Sequence, residues 1–243
     1  MVSSNDMLAA ARRGQWSVDA DIDWCRNAVP PRWMRRSSYV SIVSQFYYGE
    51  LATQRLCRRL LEDLADGNGR AAVAWQLGDE TRHAVAFSRY LERLGDIAPV
   101  EEGLETALER SLAWQGSSAA LIAAFHVVFE GGALALLQKL VKRFPCPLFA
   151  GINERLVPDE ARHIAFGKRY LREQVPQLDP DERQEIFAWL RDVWGEAARS
   201  SRREYSGFIG RAFGLDPDWA AASWRDLEQV LAGLGFDVVT THK

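Results

Sequence analysis

Residues 157–171 read VPDEARHIAFGKRYL, and residues 77–91 read LGDETRHAVAFSRYL. Each stretch carries a charged pentad, Asp159-Glu160-Ala161-Arg162-His163 in one and Asp79-Glu80-Thr81-Arg82-His83 in the other. Both pentads are set among apolar residues that recur at intervals of three and four, the pattern of a helix with one buried face. Burying a charge without a partner is costly. A chain that writes the same charged group twice on such faces therefore needs a physical reason.

Shifting the sequence by 80 positions lays Glu50 on Glu130, Asp79 on Asp159, Glu80 on Glu160, Arg82 on Arg162 and His83 on His163. The same shift lays Arg89-Tyr90-Leu91 on Arg169-Tyr170-Leu171, so the chain reads as two related helical hairpins. In each copy the isolated Glu precedes the pentad Glu by 30 residues, with midpoints at Ala65, beside a glycine turn, and at Pro145. Positions equidistant from a hairpin turn lie at one height, which makes Glu50 face Glu80 and Glu130 face Glu160.

Residues three apart on a helix share a face, so each pentad presents its Glu and His together. Two hairpins packed face to face bring together Glu50, Glu80, His83, Glu130, Glu160 and His163. Four buried carboxylates carry a charge of about −4, which two divalent cations cancel. Mixed oxygen and nitrogen donors suit iron or manganese, whereas zinc sites more usually include thiolates or several histidines. A ligating His gives its second ring proton to an acceptor that fixes its orientation. Asp79 and Asp159, held by Arg82 and Arg162, are the expected acceptors. The competing reading, ordinary ion pairs on helix surfaces, leaves the constant offset of the acids, arginines and partner glutamates unexplained.

Helix-breaking residues gather at Pro30-Pro31, Asp66-Gly67-Asn68-Gly69, Gly95 to Pro99, Gly116, Pro145-Cys146-Pro147, Pro176 to Pro180 and Gly214 to Pro217. Between them helical spacing prevails and strand-type alternation is nearly absent. The expected class is all-α, with helices over 37–65, 70–94, 101–114, 117–144, 148–175, 181–213 and 218–233 after a looser N-terminal segment. Long antiparallel rods suit a bundle. Residues 1–243 are expected to form a single di-metal domain, with its core at 37–175 and additional helices at 181–233.

Composition narrows the function. A chain of 243 residues with 47% hydrophobic content can bury one substantial core. A net charge of −3 gives no electrostatic case for nucleic acid. The arginine clusters 32/35/36 and 199/202/203 read as solvated helix faces. Cys25, Cys57 and Cys146 are odd in number and far apart, which argues against a disulfide framework and for a cytoplasmic setting. The start of the chain has no signal-peptide pattern. The most apolar stretch, 119–137, carries His126 and Glu130 at its centre and fits a buried core helix rather than a membrane span.

The six-residue ligand set resembles that of the ferritin-like di-iron carboxylate proteins, two single Glu plus two Glu-x-x-His from four helices. The pentads are similar to those of acyl-carrier-protein desaturases and multicomponent monooxygenase hydroxylase subunits. Chain length and ligand positions are similar to those of the aldehyde-deformylating oxygenases. The resemblance implies a ferritin-like four-helix bundle with additional N- and C-terminal helices, two Fe ions or an Fe/Mn pair, and O2 as co-substrate. It further implies oxidation of a small organic substrate by hydroxylation, N-oxygenation, desaturation or C–C cleavage. Electrons would come from an external donor, a ferredoxin or reductase, since no flavin, haem or iron-sulfur motif is visible. A homodimer is the default assembly. The alternative is a ferroxidase or other iron-handling ferritin-like protein, against which residues 176–243, with Trp189, Trp194, Trp219 and Trp224, suit a substrate-enclosing enzyme better than a cage subunit.

Departures from the relatives are specific. Phe87 stands where ribonucleotide reductase small subunits often have a radical tyrosine, and Leu156 where arylamine N-oxygenases have a further His. Gly131, Gly132, Ala133 and Leu134 follow Glu130 where multicomponent hydroxylases and desaturases have a Thr. These differences argue against close membership of any of those groups. Gly131-Gly132 either opens space beside the metals or permits a tight helix crossing. His126, one turn before Glu130, is a candidate extra ligand or pocket proton donor, or simply a satisfied polar group. Leu51, Phe87, Phe129 and Phe166 are candidates for shaping the pocket, and Pro158 is expected to kink its helix.

Overall fold

The computed structural model describes residues 4–65, 67–143, 146–204, 210 and 218–236. Among them every regular element is helical: α1 (Ser4–Arg13), α2 (Arg36–Asp63), α3 (Asn68–Leu94), α4 (Glu102–Leu112), α5 (Ser118–Ile122), a π-helical segment (Ala123–Phe129), α6 (Glu130–Arg143), α7 (Pro147–Gln174), a 3-10 turn (Val175–Gln177), α8 (Pro180–Glu204) and α9 (Trp219–Ala232). The helix ends expected from the breakers fall within two residues of those observed at α2 to α7. Pro145, the breaker at 214–217 and most of the expected helical stretch 205–213 lie outside the described residues. α7 continues through Pro158.

Two compact units divide the chain, Met1–Glu101 with Gly132–His163, and Glu102–Gly131 with Ile164–Lys243. In the first, α2 and α3 form an antiparallel hairpin whose turn passes through Gly67 at φ 138°, a conformation that glycine adopts without a Cβ penalty. α3 ends at Gly95, φ 120°. There the Arg36 guanidinium donates to the carbonyls of Leu94 and Arg93, placing a cation on the negative end of the helix. One of the arginines read as a solvated face is thus a helix cap. A buried polar chain ties α2, α3 and the start of α7: the Tyr39 and Tyr90 hydroxyls are 2.9 Å apart, and Tyr90 donates to Cys146 Sγ at 3.2 Å. α1 packs on α3 and delivers the segment after it to the pentads.

In the second unit α4 packs along α8, with Trp114 on Trp189 at 4.6 Å between centroids and Arg110 paired to Asp192 at 3.7 Å. α9 closes on α8 through Trp194–Trp219 and Phe187–Trp224. Trp189 and Trp224 are buried. The Ser117 hydroxyl caps α5 by accepting from Ala119 N at 3.1 Å. Ser118–Arg143 is long and apolar enough to cross a membrane, yet 61% of its apolar window is buried inside the protein. Within it the π segment, rare in helices and frequent at functional sites, ends directly at Glu130.

Candidate metal centre

α2 brings up Glu50, α3 brings Glu80 and His83, and α7 brings Glu160 and His163. Glu50, Glu80, His83 and Glu160 each offer a ligand atom, and all four atoms lie within 4.8 Å of one another. His83 Nδ1 is 3.0 Å from Glu160 Oε1 and 3.4 Å from both Glu50 Oε2 and Glu80 Oε2. His163 Nδ1 is 3.1 Å from Glu80 Oε1 and 3.7 Å from Glu160 Oε2. All five residues are buried. The first unit thus gathers five of the six expected ligands. Glu130 lies in the second unit, buried where the π segment meets α6.

The histidines' other nitrogens each face an aspartate. His83 Nε2 lies 3.2 Å from Asp159 Oδ2, and His163 Nε2 lies 3.1 Å from Asp79 Oδ2. Each imidazole is held by the carboxylate of the other pentad, a crossed arrangement that links the two copies. Arg162 bridges both acids, at 2.5 Å to Asp159 and 3.2 Å to Asp79, while Arg82 pairs with Asp79 and stands 3.8 Å from Asp159. With Nε2–H donated to an Asp, each Nδ1 carries a lone pair turned toward carboxylate oxygens.

Both Nδ1 atoms are buried without a hydrogen-bond partner. Lone pairs facing anionic oxygens repel, so this donor set fits a cation between them and not a protein hydrogen bond. Without a cation, protons do that work. Burial works against charging His83 and His163, but Glu50 beside the first and Glu80 beside the second hold both imidazoles well above their ordinary range. Burial raises Glu50 well above the usual carboxylate range. It also opposes ionisation of Glu80, which His163 nevertheless holds well below that range. Asp79 and Asp159 are likewise lowered, against burial, by hydrogen bonds from His163 and His83 respectively.

Several supporting residues have no signature in the spacing. Trp16 Nε1 donates to Asp159 Oδ2 at 2.7 Å, and its ring stacks on His83 with centroids 6.1 Å apart. Gln15 donates to Asp79 Oδ1 at 3.1 Å and accepts from Arg82 at 2.8 Å. Gly14 leaves room for the Arg162 guanidinium, whose Nη1 would be 2.8 Å from a Cβ there. On α3, Gln76 donates to Glu80 Oε1 at 3.0 Å. Apart from Gln76, one turn before Glu80, these contacts join residues far apart in the chain, beyond the reach of helical periodicity.

Phe87 is fully buried and stacks on Phe46 at 6.0 Å, the packing of an ordinary core residue. A Cβ on Gly131 would meet no heavy atom within 4 Å outside its own helix, so there is room here rather than a tight crossing. His126 is fully buried, and its Nδ1 lies 3.3 Å from the Ile122 carbonyl, which makes that nitrogen the donor. Its edge meets Phe166 at 5.7 Å, and a Cβ on Gly167 would fall 2.4 Å from the His126 Cβ. Gly167 is what lets that imidazole sit against α7.

Residues 54–206 match the family model of p-aminobenzoate N-oxygenase AurF. The chain belongs to the AurF family. The matched span holds both pentads and Glu130. Membership corrects the expectation, drawn from Leu156, that the chain is not a close member of the arylamine N-oxygenases. Leu156 is a fully buried apolar residue, and a change at one such position leaves the register of the ligands intact.

The fold is shared with R2-like ligand-binding oxidases. A variant reconstituted anaerobically with a Mn/Fe cofactor is 18% identical, with a TM-score of 0.70 over 95% of this chain and 92% of that one. A variant with an Fe/Fe cofactor is 17% identical, with a TM-score of 0.65 over 95% and 91%. The AurF-family chain is therefore an all-α, ferritin-like bundle with additional helices at its ends. No curated protein matches it in sequence.

Proposed function

We propose that this AurF-family chain is an oxygen-dependent oxygenase that oxidises the nitrogen of a small arylamine, at a metal pair held by Glu50, Glu80, His83, Glu130, Glu160 and His163. The single observation that carries the metal reading is the pair of buried Nδ1 atoms turned toward carboxylates with no hydrogen-bond partner. Support for Glu130 comes from its register with Glu50 in the repeat and from its burial. Membership of the AurF family supports N-oxygenation as the choice among hydroxylation, N-oxygenation, desaturation and C–C cleavage.

Two Fe ions, or an Fe/Mn pair like that in the R2-like oxidase structures, would supply activation of O2 and the oxidising equivalents. The protein's own part is positional. Asp79 and Asp159 fix the imidazole tautomers crosswise, and Arg82 and Arg162 pair with those acids. Trp16 covers His83 and excludes water from it. The room at Gly131 and the buried His126 are assigned to the substrate side, with Gly132, Phe129 and Phe166 as neighbours of that space. Residues 1–243 are taken as one di-metal domain, which draws electrons from a ferredoxin or reductase, works as a homodimer and resides in the cytoplasm, in keeping with three free cysteines. The ferroxidase alternative gains no support from the family match.

The test is reconstitution with ferrous ion, followed by exposure to 18O2 with an arylamine and a reductant. Two metals per chain and label on the product nitrogen are expected. Continuous oxidation of free ferrous ion with no labelled organic product would overturn the reading.

A further inference from the structure

We infer that the exposed segment 29–35 is the docking site of an acidic one-electron carrier protein of the ferredoxin class. This rests on the oxygenase reading and gives the electron supply which that reading requires a place on the chain.

Four large apolar side chains are exposed among the described residues, and two of them, Val29 at 48% and Trp33 at 45%, stand four positions apart beside arginines. Arg32 and Arg35 are exposed, and among the described residues neither forms an ion pair. Residues 24–49 contain no Asp or Glu. The other two arginines of that stretch are engaged, Arg26 with Asp23 at 3.5 Å and Arg36 on the end of α3. Lys142 and Arg143, exposed at the end of α6, stand within four residues of Cys146, against which the segment rests. The whole chain carries −3, so this is a local positive field on a net acidic protein. Trp and Arg are the side chains that most often carry the binding energy of a protein interface.

The segment is held in place from behind. Val29 N donates to Cys146 Sγ at 3.4 Å, the Cys146 thiol donates to the Asn27 carbonyl at 3.5 Å, and Leu148 N donates to that same carbonyl at 3.4 Å. Met34 is buried, and its amide donates to the Pro31 carbonyl at 3.0 Å. Pro30 and Pro31 restrict the backbone further. A surface fixed in this way has little freedom left to lose on binding.

The same contacts lead toward the metal ligands. Cys146 Sγ accepts from the Tyr90 hydroxyl at 3.2 Å, and both residues are buried. Tyr90 lies two turns beyond His83 on one face of α3, about 10 Å along the axis. Electron transfer between proteins falls steeply with distance, so a carrier is useful only where bonded contacts run inward from its seat. Placing one atom of O2 on an amine nitrogen takes two electrons and two protons, the other atom leaving as water, so two one-electron carriers dock per turnover. An anionic lipid surface also attracts arginines. This segment, however, presents two apolar side chains on a proline-bent strand of chain and not the long apolar face of an interfacial helix.

The experiment uses the metal-loaded full chain and an acidic plant-type [2Fe–2S] ferredoxin. Titration calorimetry with oxidised ferredoxin reads docking, and anaerobic stopped-flow oxidation of reduced ferredoxin by the ferric protein reads delivery. Delivery should be second order and slow by about tenfold or more between about 0.01 M and 0.5 M salt. Arg32→Glu with Arg35→Glu should weaken docking and slow delivery about tenfold at low salt, and Trp33→Ala about fivefold. Arg172→Glu with Arg191→Glu, exposed on α7 and α8, makes the same change in net charge and should leave both unchanged. Reduction by dithionite should be the same in every variant. The salt series needs no variant, so it decides even where a variant fails to fold. The inference is overturned if ferredoxin does not bind, if salt has no effect, or if the two double variants are equally slowed. It is also overturned if the Arg32/Arg35 reversal abolishes binding to phosphatidylglycerol vesicles while leaving ferredoxin delivery intact. An 18O2 arm with dithionite and an arylamine separates the two readings. Label on nitrogen without ferredoxin docking sinks the inference alone, and docking with delivery but no label sinks the N-oxygenase reading alone.

Discussion

Replacing Asp159 by Asn tests the crossed support of the metal site. Asp159 takes the Nε2 proton of His83 at 3.2 Å, and it also accepts from Trp16 at 2.7 Å and Arg162 at 2.5 Å. An Asn carbonyl can still accept from one or two of these donors, so the fold is retained, but the charge that stiffens His83 is gone. Loss of such a carboxylate behind a ligating imidazole costs about 10–100-fold in metal affinity, or about 1.4–2.7 kcal/mol. Because Asp159 serves His83 whereas Asp79 serves His163, the cost falls on one ion of the pair. Competition with a chromophoric chelator should therefore resolve one weakened and one nearly unchanged site in Asp159→Asn, with the assignment reversed in Asp79→Asn. Equal weakening of both ions in either variant, or wild-type affinity in both, would refute the crossed arrangement.

Trp16→Phe keeps the ring over His83 but removes the indole donor, and a smaller loss of about 0.5–1.5 kcal/mol should appear in the same titration, confined to the same ion. Gly167→Ala drives a methyl against His126 and should cost about 1–3 kcal/mol, read as a lowered Tm, whereas Gly131→Ala meets nothing within 4 Å and should be neutral or stabilising by up to about 1 kcal/mol. In metal-free protein the raised histidines contribute stability that is complete below their ordinary pKa of 6.5 and lost as pH rises through the folded values. Raised Glu50 acts in the same sense, while lowered Glu80, Asp79 and Asp159 contribute stability that is present above their ordinary range near 4 and lost as pH falls from there through their lower folded values. Thermal melts of chelated protein should therefore peak between about pH 4.5 and 6.5 and fall on the alkaline side, with the fall abolished by metal. A Tm of the chelated form that climbs steadily to pH 8 would contradict this.

The convergence of Glu50, Glu80, His83, Glu160 and His163 was legible because helical geometry turns spacing into position. The offset of 80, the three-residue step from Glu to His and the hairpin turn place five side chains together once the two hairpins pack face to face. The i,i+3 pairs Asp79–Arg82 and Asp159–Arg162 were legible for the same reason. What spacing does not encode is which imidazole each Asp serves, since that depends on how two helices face one another. Gln15 and Trp16 sit before the repeat and reach it only through the path of the chain after α1. The π segment was hidden because Ala-Ala-Phe-His-Val-Val-Phe scores as ordinary helix, and its extra residue per turn shows only in the backbone. Leu156 is one apolar position in a family pattern spread over residues 54–206, and a single position does not carry membership.

Anomalous diffraction at the iron edge from crystals of the iron-loaded protein tests the metal site most directly. The expected result is two peaks about 3.5–4 Å apart, each bonded to one imidazole Nδ1, His83 at one and His163 at the other, with Glu80 and Glu160 around them. A lone peak at the surface, or imidazoles whose Nδ1 atoms turn away from the metal, would contradict it.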